Sequence, residues 1–195
     1  NIVFAVQQGT HDIVLKQALP ELNVQTLWVA DQRRAIVEAM ATEAYQRLTP
    51  DHVPNLIDFD RNLFTLVIQR APRSCTNWKA DLLAGNIQLP IASQLGEILG
   101  IWHRESAKDE KLRERFLEDS LFNQLRINPF YRAIAKVHKD IRPRMAQLID
   151  ALQNDKSALV HGDFSPKNIL VDNDTKAIVL DFEVAHTGNP IFDLA

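Results

Sequence analysis

Apolar positions change their period along the chain, and the changes mark out its parts. Residues 1–7 and 12–17 alternate or run apolar with β-branched side chains, which predicts two strands; Gln8-Gly9-Thr10-His11 between them suits a hairpin turn. From Asp31 to Leu48, Ile36, Val37, Met40, Ala44 and Leu48 fall at helical spacing, with Asp31 as the candidate N-cap. "HVPNLIDFD" and "NLFTLVIQ" predict two further strands, turning at Asp60-Arg61-Asn62. The first third therefore reads as a small antiparallel sheet with one helix.

Beyond "RAPRS", a polar linker from Arg70 to Ser74, the period turns helical. Ile91, Leu95, Ile98, Leu99 and Trp102 share one helix face, and residues 109–123 form a charged amphipathic segment. A further helix is expected from Asn128 (cap) and Pro129 (first turn), with Phe130, Ile134, Val137, Ile141, Met145, Leu148 and Leu152 in period. Pro143 should kink or divide it. Then "LVHGDFSPKNILVDNDTKAIVLDFEVAHTGNP" reads as a loop, a strand at Asn168–Val171, a turn at Asp172–Thr175 and a strand at Ala177–Leu180.

Composition narrows the classes. At 195 residues the chain can bury a core, and a net charge of −3 offers no general attraction to nucleic acid or to an anionic membrane. No apolar run approaches the length that spans a bilayer. One cysteine, Cys75, excludes an intramolecular disulfide and a cysteine-based zinc site, and a cytoplasmic setting is expected. The abrupt start in a strand and stop at "FDLA" suggest a fragment of a longer protein.

The chemistry concentrates at the ends of the last two strands. A hairpin brings Asn168, entering the first, beside Asp181, leaving the second, with Asp163 on the loop upstream. An amide oxygen and a carboxylate are the hard ligands Mg2+ prefers, and a third acid nearby can accept a hydroxyl proton. These are the parts of a phosphoryl-transfer site.

The order His161-Gly162-Asp163, Asn168, Asp181-Phe182-Glu183 resembles the catalytic segment of the aminoglycoside phosphotransferase family, which shares the protein-kinase-like fold with choline kinases and methylthioribose kinases. "IVLKQALP" resembles its ATP-lysine strand, "EAYQRL" and "VPNLIDFD" the first-lobe helix and the strand after it, and "LVIQRAP" the hinge. "LGEILGIWH" and "GNPIFDLA" continue the likeness in the family's order. The resemblance implies an α+β, bilobal kinase-like fold, truncated at both ends. A small antiparallel-sheet N-lobe (1–70) would bind nucleotide, and a mostly helical C-lobe (71–195) would carry catalysis.

The same resemblance implies roles. Asp163 is the expected catalytic base, and Asn168 and Asp181 the Mg2+ ligands, with Glu183 reaching a second metal through water. Lys16 is expected on the α- and β-phosphates of ATP, paired with Glu43 or with its competitor Glu38, and the Gln69, Arg70 and Ala71 backbone on adenine. His161 would brace the loop. The partner would be a small-molecule hydroxyl acceptor, not nucleic acid and not a membrane. Gly162, Ser165 and Glu183 depart from the protein-kinase pattern and favour a small-molecule kinase. A protein kinase and an inactive nucleotide-binding module stand as alternatives. A hydrolase using His161 and Asp163 as metal ligands lacks further paired histidines.

Each element has a plainer explanation alone. Lys16 suits a solvated strand edge, Asn168 and Asp181 suit turn capping, and Trp28, Trp78 and Trp102 suit the core. Their joint order carries the reading.

Overall fold

The computed structural model describes residues 1–9, 11–21, 29–173 and 175–194. Thr10 of the expected hairpin turn, Trp28, and Asp174 of the later turn lie outside them. Strands β1 (Ile2–Gln8), β2 (His11–Gln17), β3 (Leu56–Asp60) and β4 (Thr65–Gln69) form an antiparallel sheet in the order β1-β2-β4-β3. Its register sets Lys16 between Val3 and Leu66. At the β3–β4 turn, Asp60 Oδ1 accepts from the Asn62 and Leu63 N–H groups.

Helix α1 (Arg34–Leu48) packs on this sheet through Ala35 and Ala39, which meet Leu66. It starts three residues after the expected cap. Asp31 accepts instead from the Arg33 N–H and guanidinium, in the turn before the helix. The other face of α1 carries Tyr45 to the main core. There the Tyr45 ring lies 4.1 Å from Trp102 and 5.2 Å from Phe182, and all three side chains are buried. Such aromatic pairs contribute about 1 kcal/mol each beyond area burial. Sheet helix, helical part and the Asp181-Phe182-Glu183 segment are thereby tied at one point.

The helical part holds α2 (Trp78–Leu83), α3 (Leu89–Lys108), α4 (Glu110–Glu114) and α5 (Ser120–Phe122). On α3 the expected face, Ile91 to Trp102, is the buried one. The helix expected to begin at Asn128 does not begin there. Pro129 sits inside a π-helical segment, Asn123–Arg132, which runs on into α6 (Ala133–Val137). A proline lacks the N–H of an α-turn and its ring crowds the carbonyl four residues back. Here that carbonyl, of Leu125, accepts from the Arg126 guanidinium at 2.8 Å. Phe130, Ile134 and Val137, expected in the core, stand exposed. Pro143 does divide the pattern: α7 (Arg142–Asn154) starts beside it.

Short strands β5 (Thr76–Asn77), β7 (Ile169–Asp172) and β8 (Lys176–Val179) form a second sheet, and β6 (Ala158–Val160) pairs with β9 (His186–Gly188). The β7–β8 hairpin lies one residue off the expected strands. Asn168 closes a 3-10 turn, Pro166–Asn168, instead of opening β7.

Candidate active site

Lys16 leaves the middle of the sheet toward α1 and the end of the β7–β8 hairpin. Its Nζ is 2.7 Å from Glu38 Oε1 and also pairs with Asp181 Oδ1. The partner is therefore Glu38; the expected Glu43 is exposed on another face of α1. Five residues rotate a helix by about 140° beyond a full turn, so one acid faces the sheet when the other faces water.

Two acids pair with this lysine, and a third, Glu183, acts on it through its charge. Burial pulls the Lys16 ammonium down, but Asp181 and Glu38 together override it and hold it well above the usual range. Burial pushes Asp181 up, yet Lys16 keeps it below the ordinary carboxylate range. Glu38, 5% exposed, is pushed up to about 7 by burial, against the pull of Lys16 and with the help of Asp181 and Glu183. Glu183 lies 3.3 Å from Arg34 Nε, a fully buried guanidinium that also donates to the Ala30, Asp31 and Leu19 carbonyls.

One carboxylate oxygen from each of Glu38, Asp181 and Glu183 lies within 4.8 Å of the others. Asp181 and Glu183 are set here against Lys16 and Arg34, with the raised Glu38 beside them. Clustered carboxylate oxygens are hard ligands that fit a Mg2+ ion. Asn168 approaches through its backbone, where the Leu180 N–H donates to its carbonyl at 2.9 Å. Its side-chain Nδ2, however, donates to Asp163, at 2.9 Å to the carbonyl and 2.8 Å to Oδ2.

Backbone geometry explains why these residues follow one another as they do. Asp181 has φ +71°, a left-handed conformation that costs a non-glycine residue roughly 1–2 kcal/mol. Phe182, buried beside Tyr45, Trp102 and His161, anchors it. Gly162 has φ +77°, and a Cβ there would meet the Val184 carbonyl oxygen at 2.6 Å. His161 is fully buried: Nε2 donates to the Leu180 carbonyl and Nδ1 accepts from the Asp163 N–H. Burial lowers its pKa, which keeps the ring neutral for that pair of bonds.

Asp163 itself is held at one oxygen. Asn168 Nδ2, Arg126 Nη2 (2.8 Å) and Lys167 Nζ (2.9 Å) all converge on Oδ2, and among the described residues none is aimed at Oδ1. The carboxylate borders a cavity of about 470 Å³. A second cavity, about 310 Å³, is lined by Val3, Val14, Ile68 and Gln69 of the first sheet, by Arg70 and Ala71, and by Leu170 and Leu180 at the hairpin. The Gln69 and Arg70 N–H groups are already used, by the Asn55 and Asp12 carbonyls.

Sequence reasoning missed Arg34, Arg126 and Asp193. Asp193, 6% exposed, accepts from the His161 and Gly162 N–H groups at 2.8 and 2.9 Å and from His103 Nε2 at 2.9 Å. Arg34 and Arg126 left no trace in the sequence reading, and Asp193 only its place within "GNPIFDLA".

A model of the phosphotransferase enzyme family matches residues 3–195. Methylthioribose kinase of Bacillus cereus (strain G9842) is 25% identical over 224 aligned positions, which take in all of this chain and 56% of that protein. The chain thus spans little more than half the length of the curated relatives it matches. Among solved structures, choline kinase LicA from Streptococcus pneumoniae superposes with a TM-score of 0.54 at 13% identity, over 98% of this chain and 63% of that one. The streptomycin-ATP-APH(2")-IIa ternary complex gives 0.52 at 16%, over 99% and 69%. At such identities these likenesses establish the fold, an antiparallel sheet joined to a helical part as in the kinase-like phosphotransferases.

Proposed function

Because the chain belongs to the phosphotransferase enzyme family, we propose that it forms the nucleotide-binding and catalytic parts of a small-molecule kinase that moves the γ-phosphoryl group of ATP to an acceptor hydroxyl. The observation that carries this reading is the Lys16 ion pair with both Glu38 and Asp181, set beside a loop that presents Asp163. Methylthioribose kinase relatives and the ATP named in one structural neighbour support it. In this reading residues 1–70 are the nucleotide lobe and 71–195 the catalytic lobe, and the setting is cytoplasmic. Among the described residues no helix is long and apolar enough to cross a membrane.

Each residue then has a task. Lys16 meets the α- and β-phosphates, and Glu38 holds its ammonium in place. The apolar walls at Val14, Ile68 and Leu180 take adenine, whose edge meets the Ala71 backbone and the hinge carbonyls, since the Gln69 and Arg70 N–H groups are engaged. Asp181, Glu183 and the Asn168 amide oxygen would hold Mg2+, which when bound supplies charge neutralisation on the phosphate oxygens. Asp163 receives the acceptor's proton at Oδ1 as the hydroxyl oxygen bonds to the γ-phosphorus and the bond from that phosphorus to the ADP oxygen breaks. Asn168, Arg126 and Lys167 fix Oδ2 so that the free oxygen is correctly aimed. Positioning, more than base strength, sets the rate in such reactions.

Asp163→Asn tests the reading. It should lower kcat by about two orders of magnitude or more while leaving Mg-ATP affinity nearly unchanged. Near-normal turnover in that variant would remove Asp163 from the chemistry. Mg-ATP binding with no transfer to any of a broad panel of hydroxyl compounds would leave a nucleotide-binding module.

A further inference from the structure

Two cations hold the carboxylate of Asp163, and they differ in how firmly they are fixed. All three guanidinium nitrogens of Arg126 are engaged: Nη2 with Asp163 Oδ2 at 2.8 Å, Nε with the Gly162 carbonyl at 3.0 Å and Nη1 with the Leu125 carbonyl at 2.8 Å. Its side chain is 15% exposed. Lys167 is 52% exposed along its side chain and reaches Asp163 Oδ2 through its ammonium alone, at 2.9 Å. Its backbone is anchored instead: Asn77 Nδ2 donates to its carbonyl at 2.9 Å, and the residue lies within the 3-10 turn Pro166–Asn168. A flexible four-carbon stem on a fixed backbone lets the ammonium swing while the turn stays in place.

Lys167 also stands between the two halves of the chemistry. On one side it lines the cavity that Asp163 borders. On the other, after burial, Lys16 and His161, its charge is among those that bear on Asp181 of the proposed metal site. A phosphoryl group passing from a nucleotide at Asp181 to a hydroxyl at Asp163 carries its charge on its equatorial oxygens, between these points. Those oxygens attract an ammonium more strongly than a carboxylate oxygen already bonded by Arg126 and Asn168. Resting on the kinase reading above, we infer that Lys167 is a catalytic residue, whose ammonium leaves Asp163 Oδ2 and donates to the oxygens of the γ-phosphoryl group as that group is transferred. Arg126 and Asn168 keep Oδ2 in place without it. Bonds and protons balance as in the transfer itself: Lys167 stays an ammonium throughout, and the acceptor's proton still goes to Asp163 Oδ1.

Binding of a transition-state mimic separates this inference from the reading it rests on. The protein is titrated by calorimetry with Mg-ADP, and then with Mg-ADP plus aluminium fluoride, a planar mimic of the phosphoryl group in flight. The parent should bind the second combination at least about tenfold more tightly. Lys167→Met removes the ammonium and keeps the stem. It should bind Mg-ADP within about twofold of the parent and lose most of the gain from aluminium fluoride. Lys167→Arg, which restores a cation, should recover part of that gain. A lysine that merely braced Asp163 would matter no further once that carboxylate is gone. Lys167→Met is therefore repeated on Asp163→Asn, where it should still lower the affinity for the mimic by about tenfold. The inference is overturned if Lys167→Met keeps the parent's gain, if its effect disappears on Asp163→Asn, or if the parent gains nothing from aluminium fluoride. A parent that binds no Mg-ADP removes the kinase reading itself and this inference with it, a result distinct from every other arm.

Discussion

Lys16 and Asp181 stand 165 positions apart in the sequence and form an ion pair across the cleft between the first sheet and the β7–β8 hairpin. The pair holds together two segments that share no strand. Glu38 closes the arrangement from α1, so helix, sheet and hairpin meet on one ammonium group.

The choice between the two helix acids is testable. Glu38→Gln should raise the KM for ATP by about tenfold, because it frees Lys16 from one of its two anchors, while Glu43→Gln, on the exposed face, should leave kinetics and stability unchanged within about 0.5 kcal/mol. Steady-state kinetics on both variants decide it. An equal loss in both would mean that the helix acts only as a scaffold.

Asp181→Asn removes a ligand from the proposed metal site while keeping the side chain's size. Thermal unfolding with and without Mg-ADP is the readout. The unchanged protein should gain several degrees from Mg-ADP, by preferential binding to the folded state, and the variant should gain little. A variant stabilised as much as the parent would place the metal elsewhere.

Asp193 is expected to govern the shape of the catalytic loop. An Asn in its place would turn an amide N–H₂ toward the His161 or Gly162 N–H, leaving a buried donor without an acceptor. That should cost on the order of 3 kcal/mol in urea unfolding, together with a fall in kcat. A stability loss below about 0.5 kcal/mol would show that the loop holds its turn without this anchor.

Acid should weaken the fold through His186. The ring is buried against Phe122, 4.0 Å between centroids, and burial lowers its pKa from 6.5 to about 4. A histidine depressed in the folded state contributes stability that is present above pH 6.5 and is lost as pH falls toward 4. About 2.5 units correspond to roughly 3 kcal/mol. Glu38 runs the other way: raised to about 7, its contribution is present below pH 4.5 and fades as pH rises through 7. The readout is therefore the difference between the parent and His186→Leu from pH 7 to pH 4. The gap should narrow as the pH falls, and a constant gap would contradict the assignment.

The local code carried a good deal. Alternation in "IVLKQ" and "TLVIQ" determined strands, and the period through Ile91, Leu95 and Trp102 determined the long helix and its buried face. In both, the pattern and the fold depend on the same short-range geometry. The order of Lys16, Asp163, Asn168 and Asp181-Phe182-Glu183 was legible as a resemblance to the phosphotransferase family, and within it only the hairpin, which brings Asn168 beside Leu180, follows from local rules. Three things were decided only in three dimensions. Whether Glu38 or Glu43 meets Lys16 depends on how α1 is rotated against the sheet, and Tyr45 and Ala39 set that rotation by packing on partners more than twenty residues away. Helical spacing marked Phe130, Ile134 and Val137 as core, yet a period says only that residues share a face, not that anything covers it. Arg34, Arg126 and Asp193 left almost no signal, since a buried charge is defined by its partners. Those partners, Glu183, Asp163 and the His161-Gly162 backbone, come from distant parts of the chain that only the packed core brings together.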